Sequence, residues 1–199
     1  MQQGTIQLAI GKAMLHAPAD EAARVLIEHF TRPDSKPAIT LPKIGEPWPE
    51  QGGVYAGLMR GENGQPDYHL IVAADPAAYL EEIAWGGYGE DEPGAKSEFD
   101  GLANTQALVA SEQSHPVAEW AAALTIDGHQ DLYLPARREL RLCWVNVPEL
   151  FKDGWHWSST QASPCHAWFQ AFGDGLQGTH RKNDELRARA VRRFVNLPL

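Results

Sequence analysis

The sequence predicts an α+β domain, with short helices around a twisted, mostly antiparallel sheet and a small appendage at the N-terminus. Three observations carry that reading. Strand-like alternating segments open and close the main part of the chain, short helical segments lie between them, and the regular strand–helix alternation of a parallel α/β sheet is missing. Tryptophan is also concentrated: Trp144, Trp155, Trp157 and Trp168 fall close together, whereas Trp48, Trp85 and Trp120 are scattered. Large rings so grouped mark an aromatic core where aliphatic patterning is thin.

Residues 4–14 alternate apolar and polar side chains and predict a strand. Residues 18–30 follow, with Asp20 and Glu21 in the first turn and Ala22, Val25, Leu26 and Phe30 at helical spacing, so a helix is expected. Pro33, Pro37, Pro42, Pro47 and Pro49 then make a stiff, extended connector. This divides the chain into an appendage over 1–45 and a main domain over 46–199.

The main domain opens with a predicted hairpin, 53–60 and 67–73, around the turn signal Asn63-Gly64. Residues 83–85 add a short strand before a Gly/Asp/Glu-rich loop over 86–100. Residues 101–110 and 115–124 read as short helices, the second with Pro116 in a first-turn position that tolerates it. Residues 131–135 are extended, and 136–144 form a third helix with Leu140 and Trp144 on one face. Beyond Gly154 the texture becomes irregular and aromatic. Residues 155–160 alternate, 166–172 and 176–182 flank the turn Gly173-Asp174-Gly175, and 185–194 close the chain as one strand.

Composition bounds the function. The 199 residues carry 17 basic and 26 acidic side chains, a net charge of −9, which repels phosphate backbones and anionic lipid and argues against nucleic-acid or membrane partners. No apolar run approaches a membrane helix, and the first residues lack the basic start and apolar stretch of a secretory signal. Synthesis in the cytoplasm is the expectation. Cys143 and Cys165 alone build neither a disulfide framework nor a zinc site.

The usual catalytic templates are absent, including the Gly-x-Ser-x-Gly elbow, the phosphate-binding loop, the dinucleotide fingerprint and His-Glu-x-x-His. Cys165-His166 are adjacent, which points their side chains apart in extended chain. A His156/His166/His180 metal cluster would need three loop histidines to converge unaided. Asp174, Asp184 and Glu185 are oxygen donors, but Gly-Asp-Gly is explained by turn geometry. Arg187, Arg189, Arg192 and Arg193 suit the polar face of a half-buried strand that pairs with carboxylates. Arg137-Arg138-Glu139 reads as surface or ion-pair structure. No catalytic residue, metal or cofactor is assigned.

One contrast is informative. Trp155, Trp157, Ser158, Ser159, Thr160, Ala167, Trp168, Gln170, Phe172 and the 185–194 strand look like framework. Between them lie His156, Ala162, Cys165, His166, Phe169, Ala171, Leu176, Gly178, Thr179 and His180, which share no chemistry. A catalytic site demands particular groups, whereas a binding face accepts any mixture that fits a partner.

These framework motifs carry a resemblance. Trp157-Ser-Ser-Thr-Gln161, Ala167-Trp-Phe-Gln170, Phe172-x-Asp-Gly175 and Glu185-Leu-Arg-Ala-Arg-Ala-Val-Arg-Arg193, with Tyr133-Leu-Pro-Ala-Arg-Arg-Glu-Leu140 upstream, resemble the Lcl-type C-terminal domain family. The resemblance covers about residues 50–194 and is most specific in the last 60. It implies a C-type-lectin-like fold and, in many members, a variable protein of a diversity-generating retroelement borne by phage or prophage. Adenine mutagenesis within Asn-type codons reaches fifteen amino acids and excludes Trp, Lys, Glu, Gln and Met. All ten interspersed residues belong to the reachable set.

By resemblance the variable region runs from about 155 to 193, the ten residues are its ligand-binding display positions, and Asn183 and Asp184 are further candidates. The lectin signature Glu-Pro-Asn is missing, so calcium-dependent sugar binding is not implied. The expected function is non-enzymatic recognition of a protein or glycan receptor on a host cell, by a homo-oligomer on a phage tail or in the bacterial cytoplasm before release. Residues 1–45 are the candidate trimerisation segment. The alternatives are a formylglycine-generating-enzyme-like or thiol-dependent enzyme using Cys165, and a structural virion component.

Overall fold

The computed structural model describes residues 5–10, 13–18, 24 and 40–195. They belong to two compact units, Met1–Leu41 and Pro42–Leu199. In the first unit, β1 (Thr5–Ile10) and β2 (Ala13–Pro18) pair antiparallel, from Thr5 opposite Pro18 to Ile10 opposite Ala13. The single strand expected over 4–14 is therefore two. Apart from Arg24, the helix expected over 18–30 lies outside the described residues, as does the connector as far as residue 39.

The second unit is mixed α+β, with three helices and two antiparallel-rich sheets among its described residues. Strands β3 (Pro47–Trp48), β4 (Gly53–Met59), β5 (Tyr68–Ala73) and β6 (Tyr79–Ala84) come first. Helices α1 (Gly101–Val109), α2 (Pro116–Ala123) and α3 (Arg137–Asn146) follow. The chain ends in β7 (Trp155–Ser163), β8 (His166–Ala171), β9 (Gln177–Arg181), β10 (Glu185–Arg189) and β11 (Val191–Phe194). One sheet has the order β6-β10-β7-β8-β9 and the other β11-β5-β4-β3, and only the β10–β7 pairing is parallel.

Local chemistry explains most of these elements. The β4–β5 hairpin turns at Asn63 and Gly64, whose φ angles of 52° and 81° are the left-handed values such a turn needs. Asp100 caps α1 by accepting from the Ala103 N–H at 3.0 Å, and Pro116 begins α2 where its missing N–H costs nothing. Glu139 reaches back at the start of α3 to accept from the Ala136 N–H at 2.7 Å.

The closing segment departs from expectation. It is two strands because the chain changes sheets at Ala190: β10 pairs with β6 and β7, whereas β11 pairs with β5. Ala190 is fully buried at this crossing, donating to the Ala78 carbonyl at 2.9 Å and accepting from the Ala73 N–H at 3.3 Å. Of its arginines, Arg187, Arg192 and Arg193 pair with Glu81, Asp131 and Asp100, and Arg189 donates to the Leu150 and Ala73 carbonyls.

Two buried charges hold the layers together. Arg137 and Arg138 pair with Glu98, but Glu139 is fully buried instead of lying at the surface. Its Oε1 accepts from the hydroxyls of Tyr68 and Tyr133, both at 2.6 Å, tying α3 to β5 and to the 131–135 segment. Burial pushes this carboxyl up to about 7. Lys182 is buried as well, donating to the carbonyls of Gly87 and Glu90 and to Gln161 Oε1 at 2.7 Å, with its ammonium 4.6 Å from the Trp85 ring centroid. It anchors the 86–100 loop to the sheet, and burial pulls its pKa down to about 8.

Trp85, Leu108, Val117, Leu134 and Trp157 fill one core, and Leu70, Val72, Tyr133, Leu140, Phe151 and Phe172 a second. Among the described residues, no helix is long and apolar enough to cross a membrane.

The Glu139 cluster yields a pH test. A carboxyl whose folded pKa lies above its unfolded value stabilises the fold fully below about pH 4.5, and that contribution is lost as pH rises through about 7. Urea melts of the native chain and of Glu139→Gln should therefore differ by an amount that changes over this window, in favour of the native chain at the acid end. Glu139→Ala, which removes the acceptor of the buried Tyr133 hydroxyl and of the Ala136 N–H and leaves the Tyr68 hydroxyl only the Phe99 carbonyl, should lose about 3 kcal/mol.

Candidate ligand-binding face

The β7–β8–β9 meander is the scaffold of the candidate site. Its backbone is held by buried polar side chains: Ser158 Oγ donates to the Trp168 carbonyl at 2.9 Å, Thr160 Oγ1 to the Ser97 carbonyl at 2.9 Å, and Gln170 Nε2 to the Ala171 carbonyl at 2.8 Å. Gln161 joins the Lys182 ammonium and donates to Asp91 at 2.7 Å. Trp168 carries the guanidinium of Arg137 at 3.6 Å from its ring centroid, and Arg137 also bonds Gln177 on β9. These contacts fix the strands without using most of the ten interspersed positions.

Seven of the ten reach solvent. Ala162, Leu176 and Thr179 are exposed, and Cys165, His166, Gly178 and His180 are half-buried. Ala162, Cys165 and His166 surround the β7–β8 turn. Gly178, Thr179 and His180 sit on β9, which is an edge strand, and Leu176, 55% exposed, precedes it in the β8–β9 turn.

They do not form one flat patch. The register sets Gly178 opposite Phe169 and His180 opposite Ala167, whereas Thr179 lies opposite Trp168 on the other side of the sheet.

Three positions need correction as display residues. His156 is 0% exposed, Phe169 5% and Ala171 4%, so none faces a ligand in this conformation. Alternation does separate Phe169 and Ala171 from Trp168 and Gln170, but both faces of β8 are covered: Phe169 and Ala171 join the first core, and α3 lies against the opposite face. His156 is enclosed by Tyr79, Phe151 and Phe172, with ring centroids 5.8, 5.3 and 4.9 Å away. Neither of its ring nitrogens has a hydrogen-bond partner, and burial drives its pKa down to about 3. The imidazole is therefore neutral, and it is a poor core residue because two polar atoms are desolvated without compensation.

Trp155 is misassigned in the opposite direction. Read from the sequence as framework, it is 42% exposed. One side of its indole stacks on Phe169, with centroids 4.7 Å apart and planes at 22°, and its edge meets His180 at 5.3 Å. Phe169 in turn covers Gly178, where an added Cβ would come within 2.8 Å of Phe169 Cζ. An aromatic ring lying across an edge glycine replaces the packing that the glycine lacks. Trp155, Phe169, Gly178 and His180 thus form one stacked unit. The signal that could have separated Trp155 from Trp157 is position: both point to the same side of β7, but Trp155 begins the strand, just after Gly154.

No family model matches the chain, and a search of curated proteins returns no match.

The remaining candidates are placed apart. His180 pairs with Asp184 at 3.1 Å, the His166 ring contacts Ser163 Oγ at 3.3 Å, and Asp174 accepts from the Leu176 N–H at 3.0 Å as a turn residue. Among the described residues, no three His, Cys, Asp or Glu side chains are grouped as metal ligands. Cys143 is buried within α3 and Cys165 is half-buried in the β7–β8 turn; both are free thiols.

Two substitutions test this geometry. His156→Leu should stabilise the fold by about 1 kcal/mol, because an apolar side chain replaces an imidazole with two unpaired nitrogens. It should also flatten the acid limb of the stability curve. A histidine whose folded pKa is depressed to about 3 contributes stability that is present above pH ~6.5 and lost as pH falls towards 3, which chemical denaturation at several pH values will show. Phe169→Ala should cost about 3 kcal/mol in the same assay, an effect too large for a solvent-facing display residue.

Proposed function

We propose that the second unit is a C-type-lectin-like module that binds a receptor without catalysis, as a retroelement-diversified protein of a phage tail would. The observation that carries this reading is a division of labour along β7–β9. Buried Ser158, Thr160, Gln161 and Gln170 hold the backbone, while Ala162, Cys165, His166, Leu176, Gly178, Thr179 and His180 point into or towards solvent. Side chains on such a scaffold can change while the fold persists, and the stability cost of each surface change is expected within about 0.5 kcal/mol.

The motifs Trp157-Ser-Ser-Thr-Gln161 and Ala167-Trp-Phe-Gln170 support the family reading, since their polar members are the ones that hold the sheet. The mixed α+β architecture agrees with it at the level of class. A protein or glycan on the host surface is the proposed partner. Display on a homo-oligomer, a trimer through residues 1–45, would convert a weak single contact into useful avidity.

The test is simultaneous replacement of Ala162, Cys165, His166, Leu176 and Thr179 by other reachable residues. Melting should stay within ~5 °C of the parent, and adsorption of the protein to host cells should be lost. Unchanged adsorption, or a collapse in melting temperature, would remove the assignment. A near-duplicate template repeat and a reverse-transcriptase gene beside the coding sequence are the genomic counterparts to look for.

A further inference from the structure

Strand β9 is the outer strand of its sheet, and its pairing with β8 fixes which of its backbone groups point outward. The register runs unbroken from His166 opposite Arg181 to Gln170 opposite Gln177. It continues at both ends through hydrogen-bonded pairs, the Lys182 N–H donating to the Cys165 carbonyl at 3.0 Å and the Ala171 N–H to the Leu176 carbonyl at 2.8 Å. Bonded and non-bonded pairs alternate along an antiparallel ladder, so Gly178 and His180 bond inward, to Phe169 and Ala167. Gln177, Thr179 and Arg181 therefore turn their N–H and C=O groups away from the sheet. Among the described residues, only the Arg181 carbonyl is engaged there, by the Asp184 N–H at 3.0 Å.

The two edges of this sheet are built differently. On β6, Glu81 and Glu82 are exposed at successive positions and the register with β10 contains a shift, two features that discourage strand pairing. Strand β9 has no proline, lysine or carboxylate, and its register has no shift. Its one permanent charge is Arg181, which is exposed and makes no ion pair among the described residues. Thr179 shares the Arg181 side of the strand, and Gly178 shares the side of Phe169.

We infer that β9 receives an extended segment of a protein partner as an added antiparallel strand, with a carboxylate side chain opposite Arg181. Outward N–H and C=O groups recurring every second residue, about 7 Å apart, match the main chain of another strand. Main-chain bonds do not depend on side-chain identity. Replacement at 178, 179 or 180 by anything except proline would keep this docking mode and change its selectivity. In the added strand, residues facing Thr179 and Arg181 are polar, and the residue opposite Gly178 is apolar because it adjoins the Phe169 ring that covers this glycine. With a net charge of −9 on the whole chain, one carboxylate at contact is favoured over an acidic run. This deepens the receptor-binding reading, on which it rests for its biological role, and narrows the partner to a protein.

The probe is the peptide acetyl-Glu-Val-Thr-Val-Thr-amide, added to the full chain while backbone amide exchange is followed by NMR. Binding should have a dissociation constant of about 1–10 mM. With peptide at about ten times that value, exchange at the Gln177, Thr179 and Arg181 amides should slow about tenfold. N-methylation of the central threonine removes an N–H that faces β9 and should abolish the effect, whereas N-methylation of the valine before it, whose N–H faces away, should not. Replacing the glutamate of the peptide by lysine should weaken binding at least about threefold at low salt. All these changes are made in the peptide, so no result depends on a variant that fails to fold.

No slowing at the three outward amides, equal slowing by the N-methylthreonine peptide, equal affinity of the lysine peptide, or the same protection from a neutral monosaccharide would overturn the proposal. Failure here with host-cell adsorption still dependent on the display positions would leave the receptor-binding reading standing. Peptide binding at the outward amides without adsorption would do the reverse.

Discussion

Trp85 and Trp157 are fully buried, and each donates its indole N–H across the sheet, Trp85 to the Ser158 carbonyl and Trp157 to the Ile83 carbonyl, both at 2.9 Å. Strand β10 lies between the two bonded strands, so this reciprocal pair clamps three strands at once. Only a small residue suits β10 beneath two indoles, and the buried residue it contributes to the same core is Ala188. The ammonium of Lys182 over the Trp85 ring then ties the 86–100 loop to the same point. The exposed members of the ten interspersed positions lie away from this clamp, around the β7–β8 and β8–β9 turns and on the edge strand β9.

Much of the fold was legible because local chemistry decided it. Asn63-Gly64 announces a hairpin, Pro116 announces a helix start, and period-two alternation marks β7 and β8. The split at Ala190 was not legible, since a strand that changes sheets keeps its apolar residues and alters only their pairing. Glu139 was misread for a similar reason. An acidic residue beside two arginines looks like surface, and the hydroxyls that accommodate it come from Tyr68 and Tyr133, 71 and 6 residues away.

The site shows the same limit. Alternation correctly divided β8 into two sides, but it carries no information on which side is covered. In this domain both are, so Phe169 and Ala171 went inward together with Gln170. Exposure came instead from position in the topology. Turns and an edge strand expose Ala162, Cys165, Leu176 and Thr179, and the start of β7 exposes Trp155. Strand order is a long-range property, and a single sequence does not display it.

His156 and the Phe169–Gly178 pair impose different rules on substitution in this region. His156 sits among rings with both nitrogens unpaired, as expected of a side chain not selected for that pocket, and apolar alternatives fit it better. Phe169 and Gly178 are coupled by size: a Cβ at 178 needs a smaller or displaced ring at 169, and a smaller ring uncovers both Gly178 and the underside of Trp155. Change at these sites therefore alters the platform on which exposed residues stand, whereas change at Ala162 or Thr179 alters only the exposed surface. A diversifying system acting on all of them would produce mostly stable variants from the second class and a smaller, size-matched set from the first.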